Sequence, residues 1–182
     1  MELLEHLRIT RAWKCEYYFL SFMTRGGNKM LLEKVLNNYP KRKDYLIESL
    51  IDVDETKDDH CITEEEIKRI ADYFEIKESH VCSVMSFYTL LSVAPRGKYI
   101  IQVCKDVPCY VNDTFNVIDT ISEFLSIQVG ETTKDRLFTL EFTACIGCCD
   151  EAPAMRINHQ TYTNLTKGKV ILILEELTEG RI

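Results

Sequence analysis

The sequence lacks any apolar run of the roughly 18 residues needed to span a bilayer, so no direct membrane insertion is expected. No secretory leader is expected either. Residues 1–30 hold no uninterrupted apolar core and no A-x-A-type cleavage site. Positive charge is in short supply, and the formal net charge is −7. Nucleic-acid binding needs clustered Lys and Arg to neutralise phosphates, so that class is set aside. The acidity reads as a solvated surface. Both common nucleotide cradles, G-x-G-x-x-G and G-x-x-x-x-G-K-S/T, are missing. Any nucleotide or flavin therefore has to sit on another subunit.

What the chain does have is cysteine: eight in 182 residues. Disulfide scaffolds are usually short secreted domains, which this chain does not resemble. A reducing, cytoplasmic setting with thiols serving a metal is the better reading. The hydrophobic fraction of 46% and charged fraction of 28% are ordinary for a packed globular chain.

The pattern of residues divides the chain into three. Residues 1–29 form an N-terminal extension that mixes Trp13, Tyr17, Tyr18 and Phe19 with Arg8, Arg11 and Lys14. Arg25-Gly26-Gly27 fits a purine-rich, ribosome-binding-like stretch, which makes Met30 an alternative start. Residues 30–95 read as a helical docking domain. One helix is predicted over Met30–Tyr39, stopping at Pro40, and another over Lys43–Val53. A charged loop follows over Asp52–His60. Thr63 with Glu66 is a capping box, and Ile67, Ile70, Ala71 and Phe74 lie at helical spacing behind it. Ser79 is expected to cap the next helix, with Val81, Val84, Met85 and Tyr88 inward. Ala94-Pro95-Arg96-Gly97 marks a boundary. About sixty residues are short for an independent core, hence the expectation of docking.

Residues 98–178 change to β-α-β-β-β-α. Strands are predicted at Tyr99–Val103, Leu137–Phe142, Ala154–Ile157 and around Tyr162. A helix following Cys109 should turn Phe115, Ile118, Ile121 and Leu125 to one face. Thr166 caps a last helix through Val170, Ile173, Leu174 and Leu177. This order predicts helices packed on a mixed sheet.

Cys104 and Cys109 make C-x4-C, and Cys145 and Cys149 make C-x3-C. Both pairs follow predicted strands, so they can converge at one end of the sheet. Four thiolates at one point suit an iron–sulfur cluster. They suit zinc equally, since both gaps fall within its usual range. The wide first loop tips the balance slightly towards a cluster. Cys148 competes with Cys149 for the fourth position. Cys15, Cys61 and Cys82 are isolated and read as buried structural thiols. No C-x-x-C opens a helix after a strand, as a thioredoxin-type dithiol would.

Longer motifs then carry a resemblance. They are S-F-Y-T-L-L at 86–91, P-R-G-K-Y at 95–99, V-C-K-D-V-P-C at 103–109 and G-E-T-T-K-D-R-L-F-T-L-E at 130–141. C-I-G-C-C-D-E-A-P at 145–153, I-N at 157–158 and Y-T-N-L-T at 162–166 complete them. Over about residues 35–178 the chain resembles the 24-kDa subunit of NADH dehydrogenase (complex I). It is equally similar to the small subunit of soluble NAD-linked hydrogenases and formate dehydrogenases. The resemblance implies an α+β fold: an N-terminal helical bundle followed by a thioredoxin-like ferredoxin domain with a mixed four-stranded sheet. It implies one [2Fe–2S] cluster on Cys104, Cys109, Cys145 and Cys149, which chooses iron over zinc and Cys149 over Cys148. The implied role is a non-catalytic electron-carrier subunit of an NAD(H)-dependent oxidoreductase complex, of the bifurcating hydrogenase or NADH dehydrogenase type. The implied partners are a 51-kDa-like subunit holding FMN and NAD, and a larger iron–sulfur subunit. Backbone N–H groups of residues 105–109 and 146–149 are expected to tune the cluster, with Lys105 a solvated cation beside it. Two positions depart from the family pattern: Cys148 replaces a small residue, and Asp150 replaces glycine.

Overall fold

A computed structural model describes residues 29–180. The expectations for residues 1–28, including a buried Cys15, lie outside the described residues. The chain divides into two compact units, one running to Pro95 and one starting at Arg96.

The first unit is helical: α1 Lys29–Leu36, a 3-10 turn Lys43–Tyr45, α2 Leu46–Glu55, α3 Glu64–Phe74 and α4 Glu78–Phe87. The capping box at α3 forms as read. Thr63 Oγ1 accepts the Glu66 N–H, and the Glu66 carboxylate accepts the Thr63 N–H at 2.8 Å. Glu64, Glu65 and Glu66 crowd the first turn, where the helix dipole favours negative charge. Ile67, Ile70, Ala71 and Phe74 are all buried. They join Leu32, Leu36, Leu46, Leu50, Val53, Val81 and Met85 in one core.

Several local readings change: α1 ends at Leu36 rather than Tyr39, and Lys43–Tyr45 is a 3-10 turn ahead of α2. The charged loop begins only after Glu55, because α2 carries Val53 and Asp54 inward. His60 Nδ1 then lies 3.0 Å from Asp54 Oδ2. Helix α4 is not capped by Ser79. Its N-cap is Lys77, whose carbonyl accepts the N–H groups of His80 and Val81. Ser79 falls inside the first turn. Val81 and Met85 are buried as expected, while Val84 and Tyr88 are half-buried.

The second unit contains β1 Tyr99–Cys104, α5 Val107–Val111, α6 Thr114–Leu125 and β2 Phe138–Thr143. A 3-10 turn Cys149–Glu151, β3 Met155–Ile157, β4 Gln160–Tyr162 and α7 Lys167–Thr178 follow. The sheet order is β2-β1-β3-β4. β1 and β2 are parallel, and the other two pairings are antiparallel. This is the mixed four-stranded sheet of the expected α+β class.

One face of the sheet forms the core. Ile101, Val103, Phe138, Leu140, Met155 and Ile157 pack with Val117, Ile118 and Ile121 of α6 and Val170, Ile173, Leu174 and Leu177 of α7. Thr166 caps α7 through the Lys169 N–H. Strand alternation turns Gln102 to the opposite face. There it bonds Glu141 at 3.4 Å and Arg156 at 2.7 Å.

Helix α6 presents Thr114, Val117, Ile118 and Ile121 inward. Phe115, expected inside, is 48% exposed and instead meets Tyr110 edge-on at 5.5 Å. The helical phase explains this: residues one turn before Ile118 and Ile121 are Thr114 and Val117.

Gly97 marks a close approach of backbones. A Cβ there would sit 2.6–2.9 Å from backbone atoms of Leu137 and Phe138. Its N–H also donates to Thr139 Oγ1 at 2.6 Å. Gly97→Ala should cost roughly 1–3 kcal/mol through overpacking. Urea unfolding checks this, and an unchanged midpoint with unchanged slope would contradict it.

Candidate metal centre

Two parallel strands set the site. β1 and β2 run side by side in the register Cys104↔Thr143. Their C-terminal ends therefore reach the same end of the sheet. Cys104 is the last residue of β1, and Cys145 comes two residues after β2 ends.

The two pairs differ in exposure. Cys104 and Cys109 are buried, at 1% and 2% exposed, whereas Cys145 and Cys149 are exposed. Cys109 does not simply precede a helix. It lies within α5, which turns its thiol back towards Cys104. The Cys145 and Cys149 sulfurs lie 3.3 Å apart.

Electrostatics link the pairs. Burial pushes the Cys109 thiol up to about 11. The Ala154 N–H opposes this, while a hydrogen bond with Cys104 and the charges of Cys104 and Cys149 add to it. The Cys149 thiol is also raised, first by its hydrogen bond with Cys145, then by desolvation and by the charges of Cys145, Cys104 and Asp150. Cys149 thus feels Cys145 and Cys104, and Cys109 feels Cys149. Cys148 turns inward instead. It is half-buried and packs, with Ile146 and Ala152, against Cys104, Cys109 and Ala154.

Among the described residues, no three His, Cys, Asp or Glu side chains are gathered as a group for a single ion. The thiols form two neighbouring pairs. Paired thiols of this kind are what a two-iron cluster takes, two protein thiolates to each iron. The thiols also have the donors that thiolate sulfur needs. Gly147 N–H points to Cys145 Sγ at 3.4 Å, and the Ala154 N–H bonds Cys109. The residues present fit a [2Fe–2S] group.

The surrounding chain holds these loops in place. Thr114 Oγ1 donates to the Cys104 carbonyl at 3.0 Å. The Cys104 N–H donates to the Ala154 carbonyl at 3.2 Å. Glu151 is tied twice, its carbonyl by the Asn164 N–H at 2.7 Å and its carboxylate by Thr163 Oγ1 at 2.6 Å. Glu151 and Thr163 lie in the quoted motifs and Ala154 opens a predicted strand, but none of these or Thr114 was given a role at the site. They contribute one hydrogen bond or a small volume each, and only the long-range fold reveals them. Lys105 is exposed, with its Nζ 5.1 Å from the centre of the Phe142 ring.

The remaining thiols divide. Cys61 is buried in the helical unit, and desolvation raises it to about 12. Cys82, expected buried, is exposed. It follows Val81 on α4, and one step around a helix carries it off the buried face.

Residues 32–178 match the family model described as thioredoxin-like [2Fe–2S] ferredoxin. The chain belongs to this family. As a thioredoxin-like [2Fe–2S] ferredoxin it takes a [2Fe–2S] cluster as its cofactor, and a structural zinc site is not favoured. It is 34% identical over 156 residues to NADH dehydrogenase (ubiquinone) flavoprotein 2, mitochondrial, of Dictyostelium discoideum. That match covers 85% of this chain and 63% of the relative. It is 32% identical over 150 residues to a subunit of the NADH-quinone oxidoreductase of Rickettsia prowazekii, covering 82% of this chain and 85% of the relative. It is 36% identical over 107 residues to the HndA subunit of the NADP-reducing hydrogenase of Solidesulfovibrio fructosivorans, covering 59% of this chain and 63% of the relative. The chain thus spans under two thirds of the Dictyostelium and Solidesulfovibrio proteins. The fold also matches the crystal structure of an air-oxidised NAD+-reducing [NiFe]-hydrogenase. The TM-score is 0.67 at 20% identity, over 75% of this chain and 23% of that one.

Asp150 is exposed and its charge reaches Cys149. A nearby carboxylate disfavours adding an electron to a thiolate-bound cluster. Asp150→Gly should therefore raise the reduction potential. Protein-film voltammetry checks the sign, and an unchanged or lower potential would contradict it.

Proposed function

We propose that this ferredoxin is the electron-carrying subunit of an NAD(H)-dependent oxidoreductase complex, of the NADH dehydrogenase or bifurcating hydrogenase type. Cys104, Cys109, Cys145 and Cys149 hold one [2Fe–2S] cluster, and the chain carries out no acid, base or nucleophilic step of its own. The observation that carries this reading is the Cys145–Cys149 sulfur pair, 3.3 Å apart, beside the buried Cys104–Cys109 pair. Relatives named as subunits of an NADH-quinone oxidoreductase and of a hydrogenase support the assignment to such a complex.

A bound [2Fe–2S] cluster supplies one-electron chemistry between two net charges. The chain's own residues set the conditions for it. Gly147 and Ala154 direct N–H groups at ligand sulfurs, which stabilises negative charge there. Asp150 opposes that stabilisation. Buried Cys104 and Cys109 keep water from one side, and exposed Cys145 and Cys149 leave the other side open to an electron partner.

The partners are a 51-kDa-like subunit holding FMN and NAD and a larger iron–sulfur subunit, with the helical unit as the docking module. The complex works in a reducing compartment, the cytoplasm, where thiols stay available to iron. No helix among the described residues is long and apolar enough to cross a membrane.

Cysteine substitutions test the ligand set. Cys104→Ser, Cys109→Ser and Cys145→Ser should each lose or strongly alter the visible absorption and electron paramagnetic resonance (EPR) signal. Cys148→Ala should keep both. Loss in Cys148→Ala with retention in Cys149→Ala would overturn the choice of Cys149.

A further inference from the structure

Five cysteines sit at or just after the C-terminal ends of β1 and β2, one more than a [2Fe–2S] cluster takes. The extra one, Cys148, is not turned out to solvent. It is half-buried against Cys104, Cys109 and Ala154, facing the inner pair. Cys149, the ligand it adjoins, is exposed.

The local backbone allows the two to exchange roles. Gly147 precedes Cys148 at φ 90°, in the region that favours glycine, and a Cβ there would meet nothing within 4 Å. Cys148 lies at φ −103°, ψ 49°, outside regular structure, just before the short turn Cys149–Glu151. The Cys148 carbonyl accepts the Glu151 N–H at 3.2 Å, so an exchange of ligands has to keep or remake that one turn bond. Shifting the ligand by one residue changes C-x3-C to C-x2-C, a spacing that thiolate metal sites use.

We propose that Cys148 is a reserve ligand, which takes the fourth position when the exposed Cys149 thiolate is removed or chemically blocked. The inference rests on the ligand set proposed above. Cys148 gives its thiol proton to water, and its sulfur bonds the iron that Cys149 no longer holds. No net oxidation or reduction occurs. Cys149 is the more accessible of the two to alkylating and oxidising reagents. The reserve thiol protects the centre where it is most vulnerable.

The test compares Cys149→Ser with Cys148→Ala/Cys149→Ser. Iron and acid-labile sulfide per chain and the EPR spectrum of the reduced protein are measured. Cys149→Ser should retain iron and sulfide with an altered spectrum. The double variant should lose at least the ~10-fold in metal affinity that loss of an outer-shell partner costs. Equal loss in both overturns the inference. So does equal retention with one shared spectrum, which assigns the fourth ligand to the introduced serine hydroxyl. Cys149→Ala against Cys148→Ala/Cys149→Ala repeats the comparison without that oxygen and replaces it if the serine variants do not fold. Cys104→Ser distinguishes the two levels. If it keeps an unaltered spectrum, the ligand set itself falls; if it loses the cluster while Cys149→Ala does too, only the reserve role falls.

Discussion

The parallel pairing of β1 with β2 is the constraint on which the site depends. Cys104 and Cys145 are far apart in sequence, and nothing local brings them together. The register Cys104↔Thr143 does so, and that register is fixed by which side chains face the core. A slip of one residue would turn Leu140 and Phe138 away from α6 and α7. Hydrophobic burial beneath the sheet therefore positions sulfur at its end. Gly97 belongs to the same constraint, because it lets the chain entering β1 lie against the start of β2.

The site built on this end of the sheet is asymmetric. One thiol pair is covered by α5 and Ala154, and the other is exposed. Backbone N–H groups reach sulfurs in both pairs. Burial alone works against thiolate formation, as the raised Cys109 shows. Ligation to iron must overcome that cost, and metal binding in such a site is coupled to proton release. Asp150 adds negative charge on the exposed side only. The centre is therefore tuned from opposite directions by backbone donors and by a carboxylate.

Much of the fold was legible because its signals are local and periodic. The Thr63–Glu66 box, the stripe through α3, and the Val170–Leu177 face of α7 are read from spacing alone. β1 announced itself as an apolar, β-branched run. Errors arose where a local signal met competing geometry. Ser79 has the chemistry of a cap, but Lys77 supplies the first helical acceptor. Phe115 is large and apolar, yet the phase of α6 favours Thr114. Cys82 is a cysteine of the kind usually buried, but its position on α4 leaves it outside. In the site, the cysteine types and gaps were visible, and the longer motifs, by resemblance, chose iron where spacing alone did not. Spacing permits either metal, and the two-pair arrangement is a property of the folded chain. The loop-holding roles of Thr114, Ala154 and Thr163 depend on contacts that no sequence period encodes.

That the two cysteine pairs hold a binuclear cluster is tested most directly by metal and sulfide analysis of the anaerobically purified chain, alongside its visible spectrum. About two iron and two acid-labile sulfide ions per chain are expected, with the reddish-brown absorption of an oxidised [2Fe–2S] protein. A colourless protein with about one zinc ion per chain and no sulfide would contradict it.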